Sequence, residues 1–245
     1  MKNEKKAKWA KRDPAEADKY NQDNLLAMHE YMDLVKCVPR GHLRFYDQTG
    51  SSMKKLMTQA RREDPSFPIP PVQKLNGNAS RHYSFFGLTS LDTSLPALVW
   101  KMYAADKENK QDQFTHADFF LAALSAGYIK RNDVVVMDNW SAHHGCVGEV
   151  LEEYMATQGV TFLHLGARLS HQNPIEHIWR VGKSSAIRTI QDNMMWDYAT
   201  VPNLIGEALN NIDHLDVLSV MEGDGYVIED DVKQQLYNAY KDVVF

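Results

Sequence analysis

Two apolar runs in this chain each lead into an aspartate. Val134–Met137 runs directly into Asp138, and a shorter run at 43–46 leads into Asp47. The carboxyl ends of buried strands are where α/β sheets place their ligands. A third acid, Glu176, falls in the first turn of a predicted helix. Because two hard divalent cations need several carboxylate oxygens, these acids predict a metal site suited to phosphodiester chemistry.

Each of these acids also has a purely structural interpretation. Asn173 suits the N-cap of the helix, and Glu176 then takes the third helical position, where a capping-box glutamate belongs. Asp138 could cap a following helix, and Asp47 could form a turn with the Gln-Thr-Gly that follows it. Local sequence leaves these alternatives open. Two rival acids, at turn or strand-start positions, are Asp92 and Asp133.

The segments around the second and third acids resemble a known family. Asp-Asn-x-Ser-x-His at 138–143, followed by Asn-Pro-Ile-Glu-His-Ile-Trp at 173–179, is similar to the catalytic domain of mariner-superfamily DDE transposases and related bacterial insertion-sequence enzymes. These two acids are 38 positions apart (176 minus 138), a spacing typical of that superfamily. The chain departs from the family pattern at 166–172, where a Pro-Tyr-Ser-Pro-like turn is usual, and at Gln48, where glutamate is common.

The resemblance implies an α/β fold, a ribonuclease-H-like mixed sheet flanked by helices. It implies a metal-dependent DNA endonuclease and strand transferase in which Asp47, Asp138 and Glu176 are the catalytic metal ligands. Two Mg²⁺ or Mn²⁺ ions are expected, with Asp47 bridging both. The candidates to support the site or to contact DNA, chosen from the resemblance, from position and from charge, are Asn139, His143, Asn173, His177, Arg180 and Lys183. The alternatives are a domesticated, non-catalytic relative that binds DNA or assembles, and a metal-independent two-carboxylate glycosidase.

Composition limits the partners and the setting. The 245 residues carry a net charge of -5, which argues against a strongly basic nucleic-acid binder. Basic residues nevertheless gather near the start of the chain and again at Arg180, Lys183 and Arg188. Two cysteines give neither a disulfide framework nor a zinc quartet, and no apolar run reaches membrane-spanning length. We therefore expect an intracellular protein, nuclear in a eukaryotic host, that binds DNA and no membrane; a homodimer is left open.

The order of predicted elements fits such a sheet. Residues 1–40 are predicted as a helical N-terminal segment, 41–198 as the catalytic domain and 199–245 as a helical C-terminal extension. Within the domain, the predicted hairpin strands are 81–91 and 96–103, the later helices are 114–126 and 147–157, and the last strand is 160–165. The apolar stripe expected to dock the Glu176 helix on the sheet is Ile175, Trp179, Gly182, Ala186 and Ile190.

Overall fold

A mixed five-stranded sheet lies at the centre of the protein. The computed structural model describes residues 22–64, 82–105, 113–138, 146–166, 169–193 and 200–240. Its strands are β1 Leu43–Ser51, β2 His82–Thr89, β3 Leu98–Ala105, β4 Val134–Met137 and β5 Thr161–His164. They lie in the order β3-β2-β1-β4-β5, and β1, β2 and β3 form an antiparallel meander. The strands β4 and β5 run parallel to β1. This order confirms the predicted ribonuclease-H-like mixed sheet.

Helices flank the sheet on both faces. They are α1 Gln22–Lys36, α2 Met53–Glu63, α3 Gln113–Ser125, α4 Cys146–Thr157, α5 Pro174–Asn193, α6 Thr200–Asn210, α7 His214–Gly223 and α8 Asp230–Tyr240. The predicted helices at 114–126 and 147–157 are confirmed to within one residue, as α3 and α4. Each is followed by a glycine with positive φ, 73° at Gly127 and 77° at Gly159, a conformation that other residues rarely adopt.

Successive side chains of a strand point to opposite faces of the sheet, so the apolar core has two parts, one on each face. Phe45 and Val136 belong to the apolar cluster that includes α5, whereas Tyr46 and Val135 belong to the cluster that includes α3 and α4. The helices α6 and α7 contribute to the α5 cluster as well. The face that carries odd-numbered residues of β1 is therefore covered by α5, the helix that carries Glu176.

The apolar stripe of α5 is buried as predicted, but it meets two partners. Ile175 and Trp179 are buried against the sheet, whereas Gly182 faces α6. A Cβ at Gly182 would lie 2.7 Å from Leu209 Cδ2, so the glycine permits close packing of the two helices. The side chain of Ile190 lies outside the described residues. The stripe thus docks α5 on the sheet at its start and on α6 farther along.

The predicted strands after β1 are confirmed to within two residues at each end, whereas the end of β1 differs more. β1 does not end at Asp47 but continues to Ser51, because Gln48 pairs with Phe86 and the antiparallel ladder runs on to the pair of Ser51 with Tyr83. The turn interpretation of Asp47 is therefore wrong, and Asp47 lies in the middle of a strand.

A buried ion pair fixes the start of the parallel strands. Arg44 Nη2 lies 3.1 Å from Asp133 Oδ2, and neither side chain is exposed to solvent. Asp133 also accepts a hydrogen bond from the backbone N–H of Lys130, and its Oδ1 lies 2.9 Å from Nδ1 of His42. Asp133, a rival acid in the sequence, therefore has a structural role at the opposite end of β4 from Asp138.

The proposed three-part division of the chain stays a prediction. Residues 1–21 lie outside the described part, and the helices after residue 199 share a core with α5. Among the described helices, none combines the length and the apolar character needed to cross a bilayer.

Candidate active site

The parallel register places the first two acids beside each other. Phe45 of β1 pairs with Val136 of β4. Asp47 and Asp138 each follow two residues later. An advance of two residues returns to the same face of a sheet, and neighbouring strands lie about 4.8 Å apart. Asp47 and Asp138 are therefore at one level, on the face that α5 covers. Asp138 comes directly after the last residue of β4.

A buried asparagine ties the start of α5 to β1. Asn173 Nδ2 donates a hydrogen bond of 2.9 Å to the carbonyl oxygen of Tyr46, the residue before Asp47. Pro174 then begins the helix, where its fixed φ and missing N–H are tolerated. Glu176 follows in the first turn. The Asn-Pro-Ile-Glu sequence therefore brings its glutamate to the middle of β1.

The capping-box alternative for Glu176 is wrong. A capping box needs the side-chain oxygen of Asn173 to accept a backbone N–H from the first turn. Among the described residues, this oxygen is buried without a hydrogen-bond partner. The amide is oriented by Tyr46 instead, so Asn173 connects two elements rather than capping one.

Trp179 completes the frame around Asp47. Its indole Nε1 donates a hydrogen bond of 3.0 Å to Asp47 Oδ2, and the ring is 2% exposed. The ring lies over Gly87, the residue of β2 that pairs with Asp47. A Cβ at Gly87 would lie 2.5 Å from Cη2 of Trp179, so no larger residue fits there without a shift.

The charges of the three acids act on one another. Burial raises the pKa of Asp47 well above its usual value, and the negative charges of Glu176 and Asp138 raise it further. Hydrogen bonds from the backbone of Gln48 and from Trp179 offset part of this. Burial also raises the pKa of Glu176, to which Asp138 adds, whereas Lys183 opposes the shift. The structure therefore brings the three predicted carboxylates into one electrostatic neighbourhood.

A lysine lies at the edge of this neighbourhood. Lys183 is two turns after Glu176 on α5, and its Nζ donates a hydrogen bond to the hydroxyl of Thr49 on β1. Burial and the nearby charge of Lys55 lower the pKa of Lys183 to about 8, although Glu176 and Asp47 act in the opposite direction. A partly buried cation thus stands beside the acids.

The remaining predicted site residues take varied positions. His177 Nε2 lies 3.2 Å from Asp224 Oδ1, so His177 is engaged with the turn after α7. Arg180 is exposed on α5. Asn173 is fully buried, which leaves it a supporting position and no access to a macromolecular ligand. The predicted residues Asn139 and His143 lie outside the described residues.

The donors suit a hard cation, although they do not enclose one. Within the described residues, no three His, Cys, Asp or Glu side chains converge closely enough to hold one metal ion. The chemistry of the set still fits Mg²⁺ or Mn²⁺, because carboxylate oxygens are the ligands that these cations prefer, and a divalent cation would offset the repulsion that raises the pKa of Asp47 and Glu176. The charge of the rival Asp92 is already stabilised by its neighbours. Burial raises its pKa, but hydrogen bonds from Lys130 and Ser94 outweigh burial and lower the pKa to about 2.

Comparisons with known proteins bear on the fold. No family model and no curated protein matches the chain. The catalytic domain of Mos1 mariner transposase is similar in structure, with a TM-score of 0.49 and 8% identity over 83% of this chain and 93% of that domain. The resemblance expected from the sequence is to the same group of transposases, and the fold itself is established by the strand order described above.

Two further structures are similar to the chain. The Mos1 transposase in a paired-end complex with the left transposon end has a TM-score of 0.49 and 10% identity over 83% of this chain. The chain spans 62% of the length of that transposase. The HTLV-2 integrase catalytic core domain in complex with magnesium has a TM-score of 0.38 and 14% identity, over 71% of this chain and 84% of that core.

Sequence reasoning missed the role of Trp179. Its place in the apolar stripe predicted burial and nothing about the partner of its N–H. A buried indole usually finds an acceptor for its N–H. The predicted strand that carries Asp47, expected beneath the stripe, could have indicated this acceptor.

Proposed function

We propose that this chain is a metal-dependent DNA endonuclease and strand transferase, a DDE transposase catalytic domain. Two observations carry the proposal: the parallel register sets Asp47 level with Asp138, and Asn173 ties the start of the helix that carries Glu176 to β1. Buried acids that disfavour one another's charge lower the stability of the fold unless cations offset their repulsion. Such a cluster is therefore a candidate for a cation-binding site. The proposed setting is intracellular, and nuclear in a eukaryotic host.

In this proposal Asp47, Asp138 and Glu176 would hold two Mg²⁺ or Mn²⁺ ions. When bound, such cations stabilise the charge that develops on the attacking and leaving oxygens of an in-line displacement. The chain's own cations, Lys183 and the exposed Arg180, bind phosphates of the DNA. A water molecule or a DNA 3′-hydroxyl then attacks phosphorus, and the oxygen of the cleaved strand leaves.

Metal dependence is the first expected result. Purified protein should nick supercoiled DNA with Mg²⁺ or Mn²⁺ and not with Ca²⁺ or EDTA, because Ca²⁺ occupies oxygen sites in a looser geometry. Gel analysis of plasmid nicking measures this. Equal cutting in EDTA would contradict the metal-dependent mechanism. DNA binding without cutting under any of these metals would instead support the non-catalytic alternative.

A second expected result concerns Lys183 and DNA affinity. Lys183→Met keeps the apolar stem and removes the charge. The slope of log affinity against log salt should therefore become less negative by about 0.9, the value for one lost phosphate contact with duplex DNA. Lysine is charged below its pKa, so wild-type affinity should weaken as pH rises past about 8, whereas the variant should lack this component. Because bound phosphate favours the charged amine, the transition in the complex lies at higher pH.

The matched control for Lys183 is Lys36→Met. Lys36 is an exposed lysine at the end of α1 that pairs with Asp33, and its removal changes net charge equally. Fluorescence anisotropy with a labelled duplex, at several salt concentrations and pH values, measures both variants. If Lys36→Met reduces the slope as much as Lys183→Met, the loss reflects net charge, and the proposed phosphate contact is wrong.

A further inference from the structure

The Asp47 carboxylate accepts hydrogen bonds from two groups of the chain. Its Oδ2 accepts the indole N–H of Trp179 at 3.0 Å, and the backbone N–H of Gln48 donates to the same carboxylate. The side chain of Asp47 is 6% exposed, and Trp179 is 2% exposed. A hydrogen bond in such a water-poor place has little competition from solvent, so it can fix the rotamer of the carboxylate.

Packing fixes the indole in turn. The ring fills the space above Gly87, which has no side chain, and Gly87 lies opposite Asp47 in the β1–β2 ladder. Ile175 Cδ1 would lie 3.4 Å from a Cβ placed on Gly87, so two side chains of α5 occupy this gap together. Asn173 holds the start of the same helix to the Tyr46 carbonyl. These contacts restrict the orientation of the Trp179 ring, so its N–H stays directed at Asp47.

We propose that Trp179 is a positioning residue that orients the Asp47 carboxylate for cation binding, with Gly87 providing its seat. The proposal rests on the proposed function above. An indole N–H is a donor with no acceptor capacity, so it can orient a carboxylate but cannot compete for the cation. Groups that orient metal ligands in this way typically contribute 10- to 100-fold to metal affinity or activity.

The test begins with Trp179→Phe, which keeps an aromatic ring over Gly87 and removes the N–H. We expect Mn²⁺ affinity, measured by calorimetry, to fall by about 10- to 100-fold. DNA nicking should be slow at limiting Mg²⁺ and should recover toward the wild-type rate at saturating Mg²⁺, because orientation for binding is what the variant loses. A structural role alone would lower thermal stability without this dependence on metal concentration.

The chain offers a matched control in Trp100→Phe. The indole of Trp100 donates to Asn210 Oδ1 at 2.9 Å, and its ring also packs on a glycine, Gly206. This pair lies between β3 and α6, and Trp100 is two strands from Asp47, because it pairs with Gly87 and Gly87 pairs with Asp47. The control should lose a comparable hydrogen bond and keep wild-type Mn²⁺ affinity and wild-type cleavage. If both variants lose metal affinity equally, the effect is general and the proposal is overturned.

A measurement on the wild-type protein covers the case in which Trp179→Phe does not fold. In ¹⁵N-indole spectra, Mg²⁺ should shift the Trp179 resonance and leave the Trp100 resonance in place. An unshifted Trp179 resonance at saturating Mg²⁺ would overturn the proposal. Wild-type protein that binds Mn²⁺ and cuts DNA, together with a folded Trp179→Phe of equal affinity, would overturn this inference alone. Wild-type protein that binds no Mn²⁺ and cuts no DNA would overturn the proposed function, and this inference with it.

Discussion

Asp138→Asn is expected to reduce Mg²⁺-dependent DNA cleavage about a thousandfold or more while the protein stays folded. The substitution removes a negative charge with almost no change in volume, at a half-buried position next to Asp47. Loss of about 4 kcal/mol of transition-state stabilisation, a magnitude that cation catalysis readily supplies, corresponds to roughly a thousandfold in rate. Single-turnover nicking of plasmid DNA measures the rate, and far-UV circular dichroism checks the fold.

Asp92→Asn is the matched control for this result. It makes the same chemical change at a rival acid, one whose charge is committed to Lys130, 2.5 Å away. Its cleavage rate should stay close to that of the wild-type protein. Wild-type activity in Asp138→Asn would exclude Asp138 from the reaction. If Asp92→Asn loses as much activity as Asp138→Asn, the assignment of the catalytic acids is wrong and must include Asp92.

Some of the site could be predicted because its signals are local. Val134–Met137 is a run of apolar, mostly β-branched residues with a polar residue on each side, and it forms a strand with those limits. Pro174 begins α5 because proline is tolerated at the first helical position and not farther in. The helices α3 and α4 end just before Gly127 and Gly159, which take the positive φ that glycine tolerates after a helix. Each of these depends on a few neighbouring residues.

The remainder depends on residues that are distant in the chain. β1 extends beyond Asp47 only because β2, more than 30 positions later, pairs with its second half. Asn173 has every local property of an N-cap, yet its amide bonds to Tyr46, because α5 docks on β1. The Trp179 to Asp47 hydrogen bond likewise requires that docking and the gap at Gly87. Local propensity therefore predicted which elements form, and tertiary packing determined which side chains meet.

The largest expected loss of stability is for Asp133→Ala, far from the proposed chemistry. Asp133 and Arg44 are both fully buried, and removal of the carboxylate leaves the Arg44 charge inside the core. Breaking a buried pair from one side typically costs about 3–5 kcal/mol. For a chain of this size that corresponds to a melting temperature lower by roughly 10 °C. The backbone N–H of Lys130 and the ring of His42 lose their partner as well.

Replacing both partners separates the charge from the packing. Arg44→Met combined with Asp133→Leu leaves no buried charge, and substitution of a whole buried pair by apolar residues is often neutral or stabilising. The double variant should therefore melt closer to the wild-type protein than Asp133→Ala does, although the carbonyls of Gly41 and Tyr128 lose the donors of Arg44. Differential scanning calorimetry measures all three proteins. An Asp133→Ala variant that melts within about a degree of wild type would show that solvent reaches this pair, since exposed ion pairs contribute at most about 1 kcal/mol.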